Sequence, residues 1–172
     1  MIVRSTAKAL VVSEGRLLLI RLRDRLNGEH YTLPGGGQNP LETLGEALVR
    51  ECLEETGYAV RPIRLAALFE TIVEDEEFGR IHPEHVHALH HAFLCELDRG
   101  ARLEPTEPDT GQTGVEWVSL EALAGIRLFP GILKERLGEA LAGGALAYLG
   151  CERIRSRANP ERMEASTDGL PR

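Results

Sequence analysis

Short apolar runs over residues 7–12 and 17–22 read as two β-strands. Ser13-Glu14-Gly15-Arg16 between them fits a hairpin loop, with Gly15 free to take a positive φ. Residues 23–30 are polar and loop-like, and residues 31–33 form a short extended piece running into Pro34. The period then changes. Leu44, Ala47, Leu48 and Cys52 recur at three- and four-residue spacing, which makes one buried stripe of a helix. Asn39 is a suitable N-cap, Pro40 suits the first helical position, and Glu42 falls three residues after the cap. The helix is therefore expected over 40–56, with a stop at Gly57. Further along, residues 61–73 read as one or two strands around Pro62, and residues 74–85 as an acidic loop. Residues 86–97 read as the longest strand, and residues 115–118 as another. Ser119 caps a short helix over 120–124. Pro130 opens a second one, with Ile132, Leu133, Leu137, Ala140 and Leu141 apolar, ending at Gly143-Gly144. No repeat or second domain is visible. The expected division is one domain over 1–150 and a polar, disordered tail over 151–172.

The chain has 172 residues, enough for a core that needs neither disulfides nor a structural metal. Apolar residues make up 42% and charged residues 27%, values that exclude collagen-like, wholly disordered and membrane-embedded classes. The net charge of −7 argues against nucleic acid as a partner, because phosphate-backbone binders carry a basic stripe. Three cysteines, Cys52, Cys95 and Cys151, give no zinc spacing and no disulfide framework. Reduced thiols and no targeting segment lead to the expectation of a cytoplasmic protein, not bound to membranes. A homodimer is compatible with the sequence.

Residues 36–58 read GGQNPLETLGEALVRECLEETGY. Glu51, Glu54 and Glu55 lie at i, i+3 and i+4, so they share a helix face about one turn long. Carboxylates that close repel, and a hard cation such as Mg²⁺ or Mn²⁺ relieves the repulsion. The glycines ahead of them, Gly35, Gly36 and Gly37, let backbone approach an ion and phosphates without a Cβ in the way. The alternative for three glutamates alone is an ordinary solvated helix face.

The spacing decides between these. Gly36, Glu42, Arg50-Glu51, Glu54-Glu55 and Gly57 resemble the Nudix box at all seven fixed positions. At average usage of about 5–7% per residue, a chance match at one start is on the order of 10⁻⁸. Cys52 and Tyr58 stand where an aliphatic residue is usual. Leu33-Pro34-Gly35-Gly36 before the box and Glu116-Trp117-Val118 after it are also familiar in that family. The resemblance implies an α/β Nudix fold, a mixed sheet sandwiched between α-helices (α/β/α). It also implies divalent-metal-dependent hydrolysis of the pyrophosphate in a nucleoside diphosphate linked to another group, such as a nucleoside triphosphate or ADP-ribose. Glu51, Glu54 and Glu55 would hold Mg²⁺, with Mn²⁺ as a substitute, and Glu51, Glu54 and Arg50 would serve catalysis. Gly35, Gly36, Gly37 and Glu42 would form the substrate-binding loop, and the forked guanidinium of Arg50 would hold Glu42 or Glu51.

Other residues have weaker claims. Asp109 is the first candidate for a further acid beyond the box, followed by Glu107 and Glu96. Residues 99–114 hold five Gly or Pro, which reads as a long functional or disordered loop. Arg21 and Arg23 could meet substrate phosphates or simply end a solvated strand. His82, His85, His87, His90 and His91 could bind a transition metal, but strand alternation separates His90 from His87 and His91, so a cleft lining or surface strand is the better reading. Tyr31 and Phe78 are read as packing residues ahead of base stacking. Two other functions remain: a catalytically silent Nudix-fold nucleotide sensor, and a histidine-based metal-binding protein.

Overall fold

The structure is a computed structural model, and it describes residues 3–24, 27–98, 102–143 and 145–155. Strands β1 (Arg4–Ser13) and β2 (Arg16–Asp24) form the expected hairpin. Its turn residues Glu14 and Gly15 both take positive φ, 49° and 70°, the backbone that a tight two-residue hairpin requires. Strand β3 (Gly28–Thr32) follows, so part of the expected 23–30 loop pairs with β2 instead. Helix α1 (Leu44–Thr56) leads to β4 (Val60–Val73), a single long strand that absorbs Pro62 in a bulge. The acidic segment is not all loop. It forms a one-and-a-half-turn helix α2 (Glu76–Ile81), capped by Asp75, and a 3₁₀ turn (Pro83–His85). Strands β5 (His87–Leu97) and β6 (Gln112–Ser119), a 3₁₀ turn (Ala122–Gly125), helix α3 (Gly131–Leu141) and strand β7 (Ala147–Ile154) complete the chain.

β7 changes the expected tail. It pairs in parallel with β4, and residues 151–154 belong to it, because Leu149 and Ile154 are buried on its inner face. Residues 156–172 of the expected tail lie outside the described residues.

The strand order is β3-β2-β1-β5-β4-β7, with β6 also pairing with β2. The sheet is mixed, since β1–β5 and β4–β7 are parallel. Alternation along β1 divides the core. Ala7, Ala9 and Val11 pack with Leu48 and Cys52 of α1, while Leu10 packs with Leu133 and Leu137 of α3. Each helix thus covers one face of the sheet, the expected α/β/α layering. No helix among the described residues is long and apolar enough to cross a membrane.

Candidate active site

The polar positions of β1, Arg4, Thr6 and Lys8, alternate with its apolar ones and line a cleft of about 550 Å³. Beside them, residues 34–38 run antiparallel to β1. Ala9 N donates to Pro34 O, Ala7 N to Gly36 O, and Gln38 N to Ser5 O. The sheet therefore fixes the glycine loop. Each glycine has its own reason to lack a Cβ. At Gly35 a Cβ would lie 2.2 Å from Ala7 O, at Gly36 it would lie 2.5 Å from Glu51 Oε2, and at Gly37 it would lie 2.5 Å from Arg4 Nη2.

The helix behind the loop starts later than expected. Thr43, not Asn39, is its N-cap, in a reciprocal capping box with Glu46. Asn39–Glu42 is a turn, and Leu41 within it has a φ of 71°, which no helix accepts. The turn is held because Glu42 accepts from Asn39 N at 2.9 Å and from both Nε (2.7 Å) and Nη2 (2.9 Å) of Arg50. These bonds keep the Glu42 carboxyl well down, at about 2. The same guanidinium reaches Glu51 at 2.9 Å, Glu54 at 3.1 Å and Gly37 O at 3.0 Å. Arg50 is thus the hub that joins loop, turn and helix. The helix ends at Gly57, as expected, with a φ of 72°.

Glu55 differs from its two neighbours. Its side chain is buried, and Oε2 accepts from Gly35 N at 2.7 Å. Oε1 has no partner. Burial pushes its carboxyl up to about 8; Lys8 works against the rise, and Asp109 adds to it. The three box glutamates therefore do not converge in this arrangement. Arg50 draws Glu51 and Glu54 to one side, while Glu55 points inward, and no three His, Cys, Asp or Glu among the described residues form a metal-holding group.

Asp109 lines the cleft and raises the Glu55 carboxyl, so it lies by the box. Its loop is pinned rather than loose. Leu103 N donates to Gly57 O, Thr106 N and Glu107 N to Glu54 O, Arg102 Nε to Thr56 O, and Gln112 Nε2 to Glu55 O. The loop thereby satisfies the carbonyls that the end of α1 leaves open. Glu96 pairs with Arg61 on an exposed part of the sheet and does not line the cleft.

Arg21 is also placed elsewhere. It pairs with Glu116 at 3.2 Å and donates to Thr113, outside the cleft lining. Tyr31 donates to Glu116 at 2.9 Å, whereas Phe78 does line the cleft. The histidines form no common site. His87 pairs with Glu70, and His91 bonds Thr6 O. His90 lies between the hydroxyls of Thr6 (2.7 Å) and Thr71 (2.8 Å), stacked on Phe69, and burial followed by Lys8 pushes it down to about 3. The missed residues were Arg4, Thr6 and Lys8; polar side chains at every second position of a strand were the available signal.

A family model for the Nudix domain matches residues 3–137. The chain belongs to the Nudix family. One relative, the NAD-capped RNA hydrolase NudC of Chromobacterium violaceum, is 31% identical over 122 residues, 71% of this chain and 40% of that protein. The Nudix chain thus spans about two fifths of that relative's length. A Nudix hydrolase from Nitrosomonas europaea superposes with a TM-score of 0.67 at 20% identity, over 83% of this chain and 90% of the other. An ADP-ribose pyrophosphatase from Streptococcus suis gives a TM-score of 0.60 at 20% identity, covering 84% and 98%. The Nudix fold is shared throughout.

Proposed function

We propose that this chain is a divalent-metal-dependent pyrophosphohydrolase. Its substrate is a small nucleotide in which a nucleoside diphosphate is linked to another group. The observation that carries the reading is Glu55, a buried carboxylate with one oxygen unpartnered beside the Gly35–Gly36 turn and near Asp109. Two carboxyl groups set together with no donor for Glu55 Oε1 destabilise the fold unless a shared proton or a cation meets them. Glu55, Glu51 and Glu54 are all hard oxygen donors, which suits Mg²⁺ or Mn²⁺. When bound, that metal would polarise a phosphoryl oxygen and lower the pKa of a water.

The chain's own residues supply the rest. Arg50 keeps Glu51 and Glu54 oriented and ties them to the glycine loop through Gly37 O. The N–H of Gly35 holds Glu55 in place. Lys8, in contact with Gly35 O, brings a positive charge that favours the ionised form of Glu55. Asp109 lines the cleft wall, and in this reading its carboxylate takes a proton from the attacking water.

The test is phosphate and nucleotide release from a panel of nucleoside triphosphates, ADP-ribose, NAD and sugar nucleotides, with Mg²⁺ and with Mn²⁺. Release that depends on the metal and falls 10²-fold or more in Glu51→Gln supports the reading. Tight nucleotide binding with no release on any substrate would make the chain a sensor instead.

A further inference from the structure

Gln112 opens β6, level with Leu22 on β2, and its side-chain amide is bonded at both ends. Nε2 donates to the main-chain O of Glu55 at 2.8 Å, and Oε1 accepts from the main-chain N of Asp109 at 3.2 Å. One planar amide thus ties together the backbones of two acids that lie far apart in the sequence. The chemistry of the bridge fixes the residue type. The Glu55 carbonyl needs a donor and the Asp109 N–H needs an acceptor. A carboxamide offers both side by side, whereas a carboxylate or an alkyl chain cannot.

The turn that carries Asp109 is held from another side as well. Gln112 N donates to Asp109 O at 2.9 Å and closes a four-residue turn over 109–112. Its third residue, Gly111, has a φ of 84°, which favours glycine at that place. Gly111 O accepts from Arg23 N at 2.9 Å, and a Cβ on Gly111 would lie 2.5 Å from Arg23 O. Strand β2 therefore anchors the far end of the turn, and the Gln112 amide sets its distance from α1. The result is an Asp109 in the cleft wall, near enough to Glu55 for the two carboxyls to influence each other. Leu103 N, Thr106 N, Glu107 N and Arg102 Nε also meet carbonyls at the end of α1, but none of those bonds holds Asp109. Gln112 differs from them in that its other end does.

Resting on the pyrophosphohydrolase reading and on the role it gives Asp109, we infer that Gln112 is a positioning residue: its amide bridge from Glu55 O to Asp109 N sets the acid of the loop against the acid of the helix. Gln112 itself touches no reacting atom. It acts on the rate through the placement of Asp109, so it governs kcat and leaves substrate affinity alone. A misplacement on the order of 1 Å at a reacting group can cost about 10²-fold in rate, so a single bridging amide is enough to matter.

The experiment is a double-mutant cycle on whichever substrate of the panel the wild type hydrolyses fastest. Wild type, Gln112→Leu, Asp109→Asn and the double variant are compared, with Gln112→Asn and Arg102→Ala beside them. Thermal melts check that each is folded. Gln112→Leu should lower kcat about tenfold or more and keep KM within about twofold. Gln112→Asn, one methylene shorter and unable to span both partners, should act in the same sense, and it replaces the leucine variant if that one does not fold. The double variant should be within about twofold of Asp109→Asn alone, because nothing is left for Gln112 to position. Arg102→Ala, which removes a bond to the end of α1 without touching Asp109, should lower the melting point and keep kcat within about twofold. Hydrogen exchange by NMR in EDTA gives a readout without turnover. The Asp109 amide should exchange faster in Gln112→Leu, while the Leu103 amide keeps its rate. The inference is overturned if the Gln112 variants keep wild-type kcat, if the Gln112 and Asp109 losses multiply in the double variant, if Arg102→Ala costs as much kcat as Gln112→Leu, or if the Asp109 amide exchanges alike in both proteins. A wild type that hydrolyses nothing in the panel refutes the underlying reading, and this inference falls with it. A wild type that hydrolyses beside equally active Gln112 variants refutes the inference alone.

Discussion

Replacing Glu55 by Gln should stabilise the metal-free protein at alkaline pH while removing its response to divalent cations. The buried carboxylate has one hydrogen bond, from Gly35, and one bare oxygen. Its proton affinity rises from 4.5 to about 8. With each tenfold step in proton affinity worth about 1.4 kcal/mol, ionising Glu55 costs the metal-free fold on the order of 5 kcal/mol. The sign follows from proton counting. Between pH 4.5 and 8 the unfolded chain releases this proton and the folded one keeps it, so stability is full below pH 4.5 and is lost as pH rises through 8. Glutamine cannot ionise, so the variant escapes this loss. The buried thiols of Cys52 and Cys95, which burial pushes up from 9.0 to about 12, also destabilise the fold as pH rises past 9. They are shared by both proteins and cancel in the difference. Thermal unfolding by circular dichroism with EDTA, at pH 5 and pH 9, measures that difference. The two proteins should melt close together at pH 5. At pH 9 the variant should melt higher by roughly 10 °C or more, since 1 kcal/mol shifts a domain of this size by roughly 2–4 °C. Added Mg²⁺ should raise the wild-type midpoint and leave the variant's unchanged. Equal midpoints at pH 9 in EDTA would refute the claim that Glu55 is an ionisable group held in want of a cation.

Arg50→Lys should lower kcat by about 10²-fold in a hydrolysis assay and leave KM within a few-fold, because a point charge cannot bond Glu42 twice and also reach Glu51 and Glu54. Asp109→Asn should lower kcat at unchanged KM and flatten the rise of rate with pH, which a pH–rate profile beside Glu96→Gln would show; Glu96→Gln should match wild type. His90 contributes in the acid range. Its folded proton affinity is lowered to about 3, so below pH 6.5 the unfolded chain takes a proton that the folded one refuses, and stability falls as the pH drops. By pH 4.5 the loss is about 2–3 kcal/mol, and urea melts of His90→Gln should show a correspondingly shallower pH dependence.

The box was legible because its residues answer to local rules. Helix spacing placed the glutamates, and Gly57 marked the helix end. The start of the helix was not legible, because both Asn39-x-x-Glu42 and Thr43-x-x-Glu46 satisfy the capping-box pattern. The choice is made by Arg50, eight residues away, which claims Glu42 for itself. The pairing of Arg21 was not legible for a similar reason: its partner Glu116 lies on a strand 95 residues further on, with nothing local to announce it. The divergence of Glu55 from Glu51 and Glu54 is also tertiary, since Gly35 N holds Glu55 while Arg50 draws the other two. Strand β7 escaped because few of its residues are buried: Leu149 and Ile154 are, Ala147 packs partly against the core, and the others stay half-buried or exposed.

The clasp between residues 102–112 and the end of α1 has a kinetic meaning. A loop rich in glycine and proline suggests a lid that swings shut on each turnover. Here its backbone and the side chains of Arg102 and Gln112 instead spend their donors on the carbonyls of Glu54, Glu55, Thr56 and Gly57. The ordering entropy of the loop is therefore settled when the chain folds, before any ligand arrives. Asp109 is already at the cleft wall in the resting protein. On the role proposed for Asp109, its delivery would add no closing step to the cycle.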